Sequence, residues 1–206
     1  MPIEDISPLT LNRLSVYLRS LRQLEEQDVS HISSQELARR FHLSAVQIRK
    51  DLAHFGDFGI RGVGYEVSAL RRRLEGLLGL DREHCAILVG AGNIGKALAR
   101  FPGFQGGSFR IVAICDNDPE KVGQSVQGLT IRPSRDIAEA VQETGAEIGI
   151  LAVPAEAAQE NYDSLATAGV RAVLNFAPVQ LATHSGVRVK SVDLLIFLEE
   201  LAYFLQ

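Results

Sequence analysis

Residues 85–95 read CAILVGAGNIG, an apolar run closing on Gly90-Ala91-Gly92-Asn93-Ile94-Gly95. The run predicts a buried strand, and the residues from Ile94 onward predict a helix. A G-x-G-x-x-G placed between strand and helix has a mechanical meaning. Gly90 allows the tight turn, Gly92 lets backbone approach a pyrophosphate, and Gly95 lets the helix pack closely on the strand. The amides opening that helix face the phosphates, and the helix dipole adds favourable charge. Asp116 ends the next apolar run, FRIVAICD, 21 residues past Gly95, where a carboxylate suits the hydroxyls of a ribose. No arginine follows in Asp116-Asn117-Asp118-Pro119, which favours NAD(H) over the 2′-phosphorylated dinucleotide.

Downstream the rhythm continues. SRDIAEAVQETG reads as a helix, EIGILAV as a strand, PAEAAQENYDSLATAG as a helix and VRAVLNF as a strand, with VRVKSVD a candidate final strand. This alternation implies parallel βαβ units and a doubly wound α/β sheet. The last segment, Leu194 to Leu205, is apolar around most of a helix, relieved mainly by Glu199 and Glu200. One flat sheet face cannot cover such a helix, so a second subunit is its expected cover.

Upstream the pattern is helical. Leu11, Leu14, Leu18 and Leu21 recur at spacings of three and four between Pro8 and about Gln27. Ser33-Ser34-Gln35-Glu36 is a capping box for a helix through Phe41. After His42-Leu43, Ser44 caps a third helix, Ala45 to Phe55, ended by Gly56. DFGIRGVGYEV then reads as a short hairpin, and Ser68 starts a helix to about Leu78. Ile48, Leu52 and Phe55 mark the inner face of the third helix. Val46, Gln47, Arg49 and Lys50 point outward, as helix-turn-helix docking in a major groove requires. Arg61-Gly62, at the hairpin tip, suits a minor groove. Residues 31–80 hold eight Lys/Arg against five Asp/Glu, and residues 81–206 hold ten against fifteen. A basic segment on a chain of net charge −4 fits a polyanion-binding module attached to another domain.

The expected domains are 1–80 for nucleic acid, 81–193 for the dinucleotide and 194–206 for dimerisation. No apolar stretch is long enough to cross a membrane, and the N-terminus lacks an export pattern, so the expected compartment is the cytoplasm. Cys85 and Cys115 sit inside apolar runs and read as core residues rather than a disulfide or metal pair. His84 and His184 read as surface residues, which leaves no acid–base cluster and no catalytic residue to nominate. The alternative, an NAD(H)-dependent oxidoreductase with a helical extension, lacks a substrate domain.

AVQIRKDLAHFGDFGIRGVGY followed by GAGNIG strongly resembles the Rex family of bacterial redox-sensing repressors, and DNDPEKVG, AVPAEAAQ, LNFAP and the late VDL extend the likeness over essentially the whole chain. The resemblance implies a winged-helix domain, a Rossmann domain and a swapped C-terminal helix. It implies a homodimer that binds inverted-repeat operators when NADH is scarce and leaves them when NADH binds. By the same resemblance Arg49 and Lys50 contact the major groove, Arg61 and Gly62 the minor groove, and Val153 and Pro154 lie near the nicotinamide. A switch is implied between an arginine of the first helix and an aspartate of the late Val-Asp pair, often with a tyrosine before Pro-Gly-Phe. Arg19 and Asp193 match. Phe101 departs, because a phenyl ring cannot donate a hydrogen bond.

Overall fold

A computed structural model describes residues 6–56, 58–60, 63–105 and 107–205, and the chain divides into two compact units, Met1–Arg82 and Glu83–Gln206. The first unit opens with α1 (Pro8–Glu26), where Ser7 caps the Thr10 amide and proline occupies the first turn. Its buried face, Leu14, Tyr17, Leu18, Leu21 and Leu24, follows the three–four spacing read from the sequence. A two-residue strand, β1 (His31–Ile32), precedes α2 (Ser34–Phe41), whose Glu36 amide is capped by Ser33. His42, in the left-handed conformation, closes α2, and Ser44 caps α3 (Ala45–Ala53). The hairpin β2 (Gly59–Ile60) and β3 (Gly64–Glu66) follows, with β1 pairing on the other side of β3. That three-stranded wing was only partly legible, because a two-residue strand has no periodicity. Helix α4 (Val67–Leu77) then packs Val67, Leu70 and Leu74 into the same core.

Asp51 holds this unit together from inside α3. It is 5% exposed and stays charged, because Arg13 grips both its oxygens, Nε to Oδ2 at 2.6 Å and Nη2 to Oδ1 at 2.8 Å. The Tyr17 hydroxyl donates to Oδ2 at 2.8 Å and the Gln47 amide to Oδ1 at 2.7 Å. The Arg13 bonds hold the carboxyl at about 2 against burial, which alone would raise it. Burial pushes the Tyr17 phenol well above its ordinary value, helped by the adjacent carboxylate. This cluster ties the third helix to the first.

The second unit carries a seven-stranded sheet. In chain order it runs β4 (His84–Val89), α5 (Asn93–Arg100), β5 (Phe109–Asp116), β6 (Ser125–Val126), β7 (Leu129–Pro133), α6 (Ile137–Thr144), β8 (Ile148–Leu151), α7 (Ala155–Thr167), β9 (Ala172–Asn175), β10 (Arg188–Ser191) and α8 (Leu194–Tyr203). The spatial order β10-β9-β8-β4-β5-β7-β6 is parallel except for the β6–β7 hairpin. Leaving out β6, this is the Rossmann order, with its switch point between β4 and β8. Ile87, Val89, Ala113 and Cys115 face α6 and α7 on one side, whereas Ala86, Leu88, Ile114 and Ile150 pack with Ala99 of α5 on the other. The β6–β7 hairpin is missing from the sequence reading. Its signal was Gln127-Gly128, both with positive φ, which form the two-residue turn.

Both cysteines are free, and burial pushes the Cys115 thiol up to about 11, consistent with a core residue. Among the described residues no helix is long and apolar enough to cross a membrane, and no cluster could hold a metal ion. Helix α8 is exposed throughout; Leu195, Leu198 and Leu201 are 64%, 59% and 62% accessible.

The Asp51 cluster predicts an acid transition. A carboxylate depressed from 3.8 to about 2 on folding contributes stability that is complete above its unfolded value and is lost as pH falls between the two. Urea midpoints of the wild type should therefore drop from pH 4 to pH 2. Asp51→Asn should flatten that slope and cost about 2 kcal/mol at pH 7, since it leaves Arg13 without its counter-charge. An unchanged slope in Asp51→Asn would assign the acid sensitivity elsewhere.

Candidate functional site

At the carboxyl ends of β4, β5, β8 and β9 lies a cleft of about 750 Å³. Gly90, with φ of +102°, turns the chain out of β4; a Cβ there would lie 2.3 Å from the Ala152 carbonyl oxygen. At Gly95 a Cβ would stand 1.8 Å from the Gly90 carbonyl oxygen, so only glycine allows α5 to begin so close to β4. Gly92 differs: a Cβ on it would meet nothing within 4 Å. It faces open space at the N-terminus of α5, where no side chain caps the amides. These three glycines form a cradle shaped for a phosphate group. Asn93 and Ile94 also line the cleft, while Ala91 is buried behind it.

Asp116 does two jobs. Its Oδ2 accepts the Ala91 amide at 2.6 Å, fixing the glycine loop, and its Oδ1 accepts the Asp118 amide at 2.8 Å. The carboxylate still lines the cleft, ready for hydroxyl donors. Val153 and Pro154 form part of an apolar wall with Ala152, Ala157, Phe176 and Pro178. Phe176 and Pro178 were not singled out from the sequence, although any residue just past a strand end near the switch point is a candidate. Buried Asn175 sets their position, donating to the Ala177 and Val179 carbonyls and accepting the Ala177 amide. Lys121 was missed as well. It reaches the cleft through a turn, and nothing in linear spacing marks it.

The histidines sit away from this cleft. His84 starts β4 at the opposite end of the strand from Gly90; it is half-buried rather than a surface residue, held by Glu147 at 2.7 Å and stacked on Phe109. His184 pairs with Asp163 at 2.7 Å.

In the first unit, Ile48 and Leu52 are buried and Phe55 packs on the same core, although α3 ends at Ala53. Arg49, Lys50 and Val46 are exposed. Arg49 Nη1 donates to Ser34 Oγ at 2.9 Å, over a groove of about 410 Å³ between α3 and the hairpin. Gln47 is half-buried, and with one amide hydrogen given to Asp51 its second N–H and its carbonyl oxygen are left for other partners. Arg61 and Gly62 lie outside the described residues, whereas their neighbours Ile60 and Val63 are exposed.

Arg19 is exposed on α1. Asp193 caps α8, accepting the Leu195 amide at 2.9 Å, a role the sequence reading had not given it. Phe101 is exposed at the end of α5, with its ring edge-on to Phe104.

Residues 81–179 match the family described as "CoA binding domain", and residues 5–53 match "Putative DNA-binding protein N-terminus". The redox-sensing transcriptional repressor Rex of Roseiflexus sp. (strain RS-1) is 41% identical over 98% of this chain and 92% of its own length. The chain belongs to the Rex family. Two crystal structures of that family agree in fold. RSP in complex with beta-NAD+ and operator DNA gives a TM-score of 0.92 at 35% identity, covering 97% of this chain and 92% of that one. RSP in complex with beta-NADH gives 0.88 at 33% identity, covering 98% and 94%. The α/β architecture with an N-terminal DNA-binding unit and a Rossmann sheet is therefore the family fold, and the relatives are named as repressors rather than enzymes.

The glycines make a sharp pair of predictions for this Rex-family cleft. Gly92→Ala should keep the folded stability within about 0.5 kcal/mol while weakening dinucleotide binding, because its methyl group enters only the ligand's space. Gly95→Ala should cost about 1–3 kcal/mol of stability as α5 is forced off β4. Thermal unfolding and dinucleotide titration of both variants check this; equal stability losses would undo the distinction.

Proposed function

We propose that the chain is a redox-sensing repressor which binds operator DNA through α3 and the β2–β3 hairpin when NADH is scarce and leaves it when NADH fills the Rossmann cleft. The observation that carries the reading is the combination, on one chain of this family, of the glycine cradle with Asp116 and a helix-turn-helix with Arg49 and Lys50 exposed. A repressor that acts on operator DNA works in the cytoplasm.

In the cleft, the amides at the start of α5 take the pyrophosphate and Asp116 takes the adenosine ribose. Val153, Pro154 and Phe176 offer the nicotinamide an apolar wall. The oxidised ring is cationic and loses hydration there, so NADH binds better than NAD+. On DNA, Arg49 and Lys50 serve the major groove and Arg61 with Gly62 the minor groove, and Gln47 contributes through its carbonyl oxygen and remaining amide hydrogen. Two copies related by a two-fold axis, joined through α8, present two such helices, so the operator is an inverted repeat.

The switch couples these ends. Arg19 and Asp193 form an ion pair in the DNA-bound dimer. Asp193 also caps α8, so drawing its carboxylate away weakens that helix start by about 1 kcal/mol. Without a hydroxyl, Phe101 cannot capture Asp193 in the NADH-bound state, and Phe101→Tyr should strengthen release.

Because coupling between ligands is reciprocal, NADH must lose as much affinity to operator as operator loses to NADH, about tenfold or more. Titration of NADH with and without a saturating palindromic operator tests this in wild type and Asp193→Ala; the variant should bind operator more weakly and NADH nearly normally. NADH affinity unchanged by operator would rule out the sensor. Light scattering should give a dimer for the full chain and a monomer once residues 194–206 are removed, and a soluble dimeric truncation would remove α8 from the interface.

A further inference from the structure

Lys121 is the only cation among the described residues that line the cleft. It is no loose surface side chain. The turn that carries it is closed by the Lys121 and Val122 amides on the Asp118 carbonyl and anchored to β7 by the Gly123 amide on the Ile131 carbonyl. Its ammonium lies 3.1 Å from Asp118 Oδ2 and 3.4 Å from Asp116 Oδ2. Asp118 is itself pinned, with Oδ1 accepting the Glu120 amide. One fixed cation thus bridges two fixed carboxylates at the end of the cleft where a ribose is expected. The three charges sum to −1.

That arrangement separates two dinucleotides. A ribose diol can donate to Asp116 without disturbing Lys121. A 2′-phosphate brings nearly two negative charges to a corner already negative, and the cation it needs is engaged twice over. Rossmann sites that accept the phosphate commonly use an arginine nearby. Here a lysine stands within reach but is held by its neighbours.

We infer that Lys121 is a cofactor-selectivity residue: engaged by Asp116 and Asp118 it is withheld from a 2′-phosphate, which meets a corner of net negative charge, and released from Asp116 it becomes the phosphate's partner. This rests on the NAD(H) reading of the cleft and adds to it that selectivity belongs to a three-residue charge cluster, not to Asp116 alone. Repulsion by Asp116 alone would let any neutral replacement admit NADPH whatever stands at position 121.

A double-mutant cycle separates the two. NADH and NADPH are titrated calorimetrically into the full-length wild type, Asp116→Asn, Lys121→Met and the double variant. Asparagine keeps an acceptor for the Ala91 amide, and Asp118→Asn, which frees the other arm of Lys121, serves if Asp116→Asn fails to fold. The wild type should bind NADPH about thirtyfold or more weaker than NADH, and Asp116→Asn should gain about tenfold for NADPH while losing NADH affinity. Adding Lys121→Met should erase the NADPH gain and leave NADH within about twofold of the single variant. A NADPH gain that survives Lys121→Met, or one that never arises, overturns the assignment. Failure of the wild type to bind NADH at all would instead remove the reading beneath it, and the proposal with it.

Discussion

The start of α5 lies so close to the end of β4 that the backbone at Gly95 has no room for a side chain; a Cβ would sit 1.8 Å from the Gly90 carbonyl oxygen. Much of the second unit's function depends on that contact. It brings the first turn of α5, with its uncapped amides, to the mouth of the switch point between β4 and β8. Gly90 must then leave its strand at φ of +102°, and Ala91 is turned inward so that its amide meets Asp116. The hydrogen bond converts a residue suited to a ribose into a brace for the loop that suits a phosphate. The carboxylate proposed to take the ribose is thus also the one that sets the loop geometry.

The first unit is organised around a different carboxylate with a related logic. Asp51 lies inside α3, and its partners come from α1 and from one turn earlier in α3 itself. A buried charge with bidentate Arg13, a tyrosine hydroxyl and a glutamine amide leaves little freedom for the helix that bears it. The exposed Arg49 and Lys50 are consequently presented from a rigid support, as a reading element needs. The cluster costs flexibility at Gln47, whose amide nitrogen faces inward.

Helix α8 is the part that a single chain leaves unsatisfied. Leucines and phenylalanines project around it with no cover, and its N-terminus is capped by Asp193. The residue matched to the family switch is thus also the start of the helix proposed to join two copies, so the proposed switch has a direct route to the proposed interface.

Much of this was legible in the sequence, for a local reason. Gly90 to Gly95, the capping serines 33 and 44, the three–four spacing of α1 and Asp116 at a strand end each express a backbone requirement met within a few positions. The strand–helix alternation and the fold class follow from such signals alone. Other features were decided only when distant segments met. Arg13 and Tyr17 find Asp51 across 38 and 34 residues, and no spacing rule announces that pairing. Phe176 and Pro178 join the cleft because β9 ends beside β8, and the two-residue β6 is too short to carry a period. Lys121 is a shorter-range case: it lies five residues past Asp116, yet its ammonium stands 3.4 Å from that carboxylate only because the intervening turn folds back. Adjacency along the chain reports turns and caps, whereas charge neutralisation acts through space, and only the folded turn brought the two together.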